Sequence, residues 1–321
     1  MPSPKHSAGD MAAGETSFSD ILRRTFIGIC TAEYEAEGAY PELASAPQEL
    51  AAVRGWFCRE DLGARAFTDA RLPVNPGLEE IAGEFTDGDG KSRFREGDAV
   101  VVYATGHGEY RHDGGHRLVL SKSDPGQLST TLQTVRLFEW LKSTVRHALV
   151  VIDACYAGQA IADLHDYGVL PAGWLVLTTV AKTQTAGQEV FAQALGDYLG
   201  ELRDAGSHGP IEPYLEAASF VAAIREKLGP AMLVDHGYVP PGPSPCLPNP
   251  VYDPAAQAQV PTAAARQELA LLQSDLDAHW GPRARGVTET GAPGWFFTGR
   301  AAIVRRLVEF VAGPPRLLVS P

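Results

Sequence analysis

Along this chain the apolar positions come in two rhythms. Short unbroken runs, "TFIGIC" at 25–30, "DAVVVYATGHG" at 98–108, "HALVVIDAC" at 147–155 and "GWLVLTTV" at 173–180, are strand-length and apolar on both faces. Between and after them lie stretches with helical spacing, at 46–61, 76–85, 131–145, 188–204 and 213–228. A further short strand is expected at 117–120. Buried-type strands alternating with helices predict an α/β fold with a mostly parallel sheet covered on both sides. In such sheets ligands sit outside the carboxyl ends of the strands. His107 follows one of those ends and Cys155 marks another.

Outside this alternation the pattern changes. Residues 1–20, "MPSPKHSAGDMAAGETSFSD", are polar and small, without the apolar centre of a signal peptide, and are expected to be a disordered leader. No run approaches the roughly 20 apolar residues of a membrane span, so a cytoplasmic protein with no membrane partner is expected. The stretch 237–254, "GYVPPGPSPCLPNPVYDP", is proline-rich and reads as a strap or linker without regular structure. A helix is expected at 262–280, and residues 294–321 read as a helix followed by an apolar run. The predicted organisation is a leader at 1–20, a main domain at 21–254, a linker with one helix at 255–293, and the start of a further module at 294–321.

Composition narrows the functional classes. With 321 residues and 45% apolar content the chain can bury a sizeable core. Its net charge of -12 argues against a nucleic-acid partner, which requires clustered Lys and Arg. The four cysteines, Cys30, Cys58, Cys155 and Cys246, show no C-x-x-C spacing, so neither a disulfide framework nor a thiolate zinc site is expected. Cys30 and Cys58 read as small core hydrophobes. Cys155 alone stands where a strand stops and a turn begins.

A thiol in that position needs a base, and His107, flanked by Gly106 and Gly108, is the best candidate. The Gly108 and Cys155 amides are the natural donors to a developing oxyanion. Asp153 lies two positions before Cys155 and so shares its strand face, at about 6.6 Å for a rise of about 3.3 Å per residue. There it either lines a pocket for a cationic side chain or fixes a loop through backbone amides. The pattern G-x-x-x-x-G-K-S is not met, because Phe85 stands where the first glycine is needed. The acidic loop 87–98 is no EF-hand, since Lys91 and Ser92 occupy its fifth and sixth positions. His107, His112 and His116 lie near one another in a glycine-rich segment that reads as loop, so no metal site and no cofactor are expected.

The pair "YATGHG" and "VVIDACYAG", 48 residues apart from His107 to Cys155, resembles the caspase-like cysteine peptidases. The likeness is greatest to metacaspases and bacterial caspase-like domains, runs from about Thr25 to Tyr252, and includes "LVLTTVAKTQTAGQEVFAQAL". It implies a caspase-like α/β/α sandwich with a central sheet of about six strands. It also implies a Cys-His dyad of Cys155 and His107, an oxyanion hole at Gly108 and Cys155, and Asp153 in an S1 pocket selecting Arg or Lys. The chain has Tyr156-Ala157-Gly158 where metacaspases carry His-Ser-Gly. A second pocket acid would follow the first strand, where Glu33 and Glu35 are both available. The tail is similar to the lead-in to NTPase modules of large bacterial proteins, so the chain is expected to be part of a longer sensor–protease.

The resulting expectation is a cysteine endopeptidase cleaving proteins or peptides after Arg or Lys, in bacterial defence or regulated proteolysis. No Arg or Lys lies between Cys155 and Lys182, so self-cleavage there is not expected, and activation falls to an attached sensor or NTPase module or to oligomerisation. The alternative is a catalytically silent caspase-like scaffold that binds partners; a zinc hydrolase is a third reading.

Overall fold

The structure is a computed structural model. It describes residues 18, 21–36, 38–111, 115–142, 144–166, 170–181, 190–205, 212–228, 232–236, 239–240 and 242–253. The chain divides into two compact units, one of residues 1–201 and 214–250 and one of residues 202–213 and 251–321. The architecture below belongs to the first unit. The expected leader (Phe18 apart), linker helix and C-terminal module lie outside the described residues.

The central sheet has six strands: β1 (Arg23–Cys30), β2 (Thr68–Asp69), β3 (Asp98–Gly106), β7 (His147–Ala154), β8 (Gly173–Ala181) and β10 (Met232–His236). Their spatial order is β10-β8-β7-β3-β1-β2. The five strands β2, β1, β3, β7 and β8 are parallel, and β10 pairs antiparallel with β8 at the edge. In β3, Asp98 to Thr105 are buried, because the strand has side chains packed on both of its faces. Burial of each Val or Ile on such a strand contributes roughly 1.5–3 kcal/mol.

Helices cover both faces. Against one face, Val100, Val102, Val150, Ile152, Trp174 and Val176 form a single core cluster with apolar residues of α2 (Leu78–Phe85), α3 (Thr134–Lys142) and α4 (Gly158–Asp166). Against the other lie α1 (Ala46–Phe57), α5 (Val190–Ala205) and α6 (Ala217–Leu228). There Phe26 stacks on Phe57 at 5.6 Å, Tyr103 on Phe191 at 5.9 Å, and Trp56 meets Phe220 at 5.6 Å. This is the expected α/β/α sandwich with a mostly parallel sheet. No helix among the described residues is long and apolar enough to cross a membrane.

Two segments differ from the sequence expectation. The segment from His107 to His116, read as loop, carries β4 (Gly108–Arg111) and the start of β5 (Gly115–Leu118). These form a three-stranded antiparallel sheet with β6 (Leu132–Gln133), a short strand at the start of the helix expected at 131–145. Strand β5 therefore begins before the 117–120 expected. The proline-rich stretch, read as irregular, contains β11 (Pro243–Pro248), paired antiparallel with β9 (Tyr214–Glu216). Proline holds φ near a value compatible with extended backbone, and β11 lies in a separate two-stranded pair with an irregular register, where its missing N–H groups take no bond from the central sheet. Its Cys246 is fully buried, with the thiol against the Val100 carbonyl at 3.8 Å.

Candidate active site

Strands β3 and β7 are direct neighbours, and their last residues are in register: Thr105 with Asp153, and Gly106 with Ala154. Adjacent strands lie about 4.8 Å apart, so His107 and Cys155, the next residues on each, leave the sheet side by side. Gly108 shows how close the approach is. A Cβ there would fall 2.2 Å from the Cys155 carbonyl oxygen and 2.8 Å from the His116 Nε2. Only glycine fits without backbone movement.

His107 is half-buried, with its ring among aromatic neighbours: 4.8 Å from Tyr34 and 5.6 Å from Tyr40, centroid to centroid. Its Nε2 lies 2.8 Å from the Pro41 carbonyl oxygen. A carbonyl can only accept, so this contact assigns the proton to Nε2 and leaves the lone pair on Nδ1. Its backbone N–H donates to the Tyr34 hydroxyl at 2.9 Å, and that hydroxyl donates to the Thr31 carbonyl at 2.9 Å. The Pro41 carbonyl thus takes the orienting role that an acidic residue fills in serine triads.

The direction of the Gly108 N–H can be read from the ladder. Gly108 faces Leu118, and the Val119 N–H donates to the His107 carbonyl at 2.9 Å. That combination makes Gly108 and Leu118 a non-hydrogen-bonded pair, so the Gly108 N–H turns away from β5. The Cys155 amide lies against its own thiol.

Beyond Cys155 the chain turns sharply, with the Ala157 N–H donating to the Ala154 carbonyl at 3.2 Å. Tyr156 at the turn has φ 61 and is 48% exposed. A non-glycine residue in this left-handed region costs about 1–2 kcal/mol, so surrounding contacts must hold the turn.

Asp153 accepts two hydroxyls, from Tyr103 at 3.1 Å to Oδ2 and from Thr179 at 2.5 Å to Oδ1. Both donors come from flanking strands rather than from loop amides. Burial pushes the Asp153 carboxyl above its usual range, against the lowering effect of those two bonds. Tyr103 is held well above the usual phenol range by burial, then by the charge of Asp153 and that of the buried Glu49. Each Asp153 oxygen keeps lone-pair capacity for a cationic partner.

The Cys155 thiol, half-buried, is itself pushed up, first by burial and then by the charge of Asp153. At neutral pH the resting group is therefore the thiol. The expected result is an iodoacetamide rate at Cys155 that rises with pH into and beyond the ordinary thiol range, followed by mass spectrometry. A flat, fast rate at pH 5–7 would contradict a raised thiol.

Glu33 and Glu35 are exposed on the loop after β1, which is tied down by Ala32 and Glu33 amides donating to Asn75 Oδ1 at 2.7 and 3.0 Å. His112 lies outside the described residues, and His116 sits on β5 with both ring nitrogens engaged by protein groups. Among the described residues no three His, Cys, Asp or Glu side chains are placed to hold a metal ion. Pro41, Tyr34 and His116 were not singled out for this site by sequence reading.

No family model and no curated protein matches the chain. Among solved structures it is similar to the crystal structure of protein GSU0716 from Geobacter sulfurreducens, at 14% identity and a TM-score of 0.44, over 72% of this chain and 100% of that one.

Proposed function

We propose that this chain is a cysteine endopeptidase of caspase-like type that cleaves after Arg or Lys, acting in the cytoplasm of a bacterium in defence or regulated proteolysis. The observation that carries the reading is the in-register ending of β3 and β7, which sets His107 beside Cys155 with Gly108 packed on the cysteine carbonyl.

In the first step the Cys155 sulfur bonds to the scissile carbonyl carbon while its proton passes to His107 Nδ1. The Gly108 and Cys155 amides hold the oxyanion. His107 then protonates the leaving amine as the C–N bond breaks, giving a thioester. Water attacks that thioester with His107 as base, releasing the carboxylate and restoring the thiol. Asp153, two residues before Cys155, offers its carboxylate to a substrate guanidinium or ammonium.

The competing reading, a silent scaffold, draws on the raised Cys155 thiol. Against it, a scaffold has no need of a glycine packed on the cysteine carbonyl or of an imidazole fixed through Nε2.

Asp153 supplies the test. Asp153→Asn keeps the shape and removes the charge; its oxygen still accepts one hydroxyl, while the other hydroxyl must turn to accept from the new NH2. Its kcat/KM on Arg-ended peptides should fall by about 10–100-fold, the worth of a charged partner, with turnover of a neutral-ended peptide little changed. Equal loss on both peptides would make Asp153 purely structural. No turnover of any peptide by the wild type would favour the scaffold.

A further inference from the structure

His116 has no role in the mechanism above, yet it is fully buried and bonded at three points. Its Nε2 lies 3.0 Å from the Cys155 carbonyl oxygen and its Nδ1 2.7 Å from the Thr134 hydroxyl, while its backbone N–H donates to Asp163 Oδ2 at 2.6 Å. Thr134, the first residue of α3, is also fully buried. Asp163 is on α4, the helix that follows the Cys155 turn. A single residue, through its ring and its backbone N–H, thus ties β5, α3 and α4 to the cysteine peptide.

The hydrogens on this chain of contacts follow from its end. The Cys155 carbonyl only accepts, so Nε2–H donates to it. Burial lowers His116 to about 4, so at neutral pH the ring carries one proton and Nδ1 accepts from the Thr134 hydroxyl. Every polar atom of the ring is satisfied in one tautomer.

Geometry shows what this bond constrains. The Cys155 carbonyl belongs to the peptide that enters Tyr156, the residue held at φ 61. Fixing that carbonyl fixes the peptide plane, and with it the turn from which the thiol projects. Gly108 lies in the same contact, within reach of both the Cys155 oxygen and His116 Nε2. On the far side Gly115, at φ 66, admits the Asp163 carboxylate, which a Cβ there would meet at 2.5 Å.

We propose that His116 is a positioning residue: its ring, held at Nδ1 by the Thr134 hydroxyl, donates Nε2–H to the Cys155 carbonyl and locks it so that the thiol keeps one orientation toward His107. The proposal rests on the peptidase reading for its consequence in turnover, but its effect on the thiol can be read without turnover.

The test compares His116→Phe, His116→Gln and Thr134→Val with the wild type in the full chain. Cys155 alkylation by iodoacetamide, assigned by tandem mass spectrometry, is measured beside kcat and KM on an Arg-ended peptide, with thermal melting as a control. His116→Phe leaves the carbonyl unpaired and should lower both the alkylation rate and kcat by about 10–100-fold at nearly constant KM. His116→Gln, whose amide reaches the same carbonyl, should restore most of both, and Thr134→Val should fall between. If His116→Phe does not fold, Thr134→Val decides. Wild-type alkylation in the folded variants, or a Gln variant no better than Phe, would overturn the proposal. If the wild type turns over no peptide while alkylation still follows this order, the peptidase reading fails and the positioning role stands.

Discussion

Cys155→Ala should lower kcat/KM on an Arg-ended peptide by at least about 10⁴-fold, because in the proposed mechanism it removes the atom that forms the acyl intermediate. The fold should survive the change. The thiol is only half-buried, and its replacement keeps Cβ and the backbone amide. The Cys155 carbonyl, which His116 holds, is also kept. A melting temperature within a few degrees of wild type, with turnover at background, is the expected pair of results. Comparable turnover in the alanine variant would place the chemistry elsewhere; Cys58 is half-buried but raised to about 11 by burial, and Cys30 and Cys246 are buried.

His107→Ala should cost about 10²–10⁴-fold in kcat, the usual contribution of a positioned acid–base group. The structure gives this loss a particular form. With Nε2–H engaged by the Pro41 carbonyl, the Nδ1 lone pair is the basic site. His107→Asn mimics Nδ1 by position but cannot take up a proton, so it should be as inactive as alanine. The loss should also narrow as pH rises, since hydroxide-generated thiolate replaces the missing base. Rates measured from pH 6 to 10 test this. A loss that widens with pH would assign His107 to the acid step alone.

Much of this arrangement was legible because strands β3 and β7 bury both faces and so read as unbroken apolar runs. Where such a run stops on Gly-His-Gly or Asp-Ala-Cys, the carboxyl end of a parallel strand is marked, and the site residues follow. Other parts were hidden for physical reasons. Strands β4 and β5 carry Glu109, Arg111 and His116, so no clean alternation of apolar and polar positions announces them. His116 is buried in spite of its polarity because its two ring nitrogens meet a hydroxyl and a carbonyl contributed from elsewhere in the chain. Those partners have no sequence signature. The same is true of the Pro41 carbonyl, since any residue supplies a backbone oxygen. Strand β11 is hidden because proline reads as a breaker, whereas an edge position needs few of its N–H groups.

The acid side of the pH range offers a separate check on the buried histidine. His116 folded at about 4, against about 6.5 unfolded, means the unfolded chain binds more protons between those values. Stability therefore falls as pH drops from about 6.5 to 4, by roughly 3 kcal/mol for the full shift. In His116→Gln this share of the acid loss should vanish, as seen by denaturant melts at pH 7 and pH 4.5. Asp153, raised by burial, works in the opposite direction and is unchanged by that substitution.

The most direct measurement of the central pairing is covalent capture with a peptidyl acyloxymethyl ketone ending in Arg, read by intact mass and peptide mapping. One adduct per chain, on Cys155, formed faster than with an Asp-ended analogue and lost in His107→Ala, is the predicted outcome. Absence of any adduct, labelling of Cys58 in its place, or equal labelling in His107→Ala would contradict a dyad of His107 and Cys155 at the ends of β3 and β7.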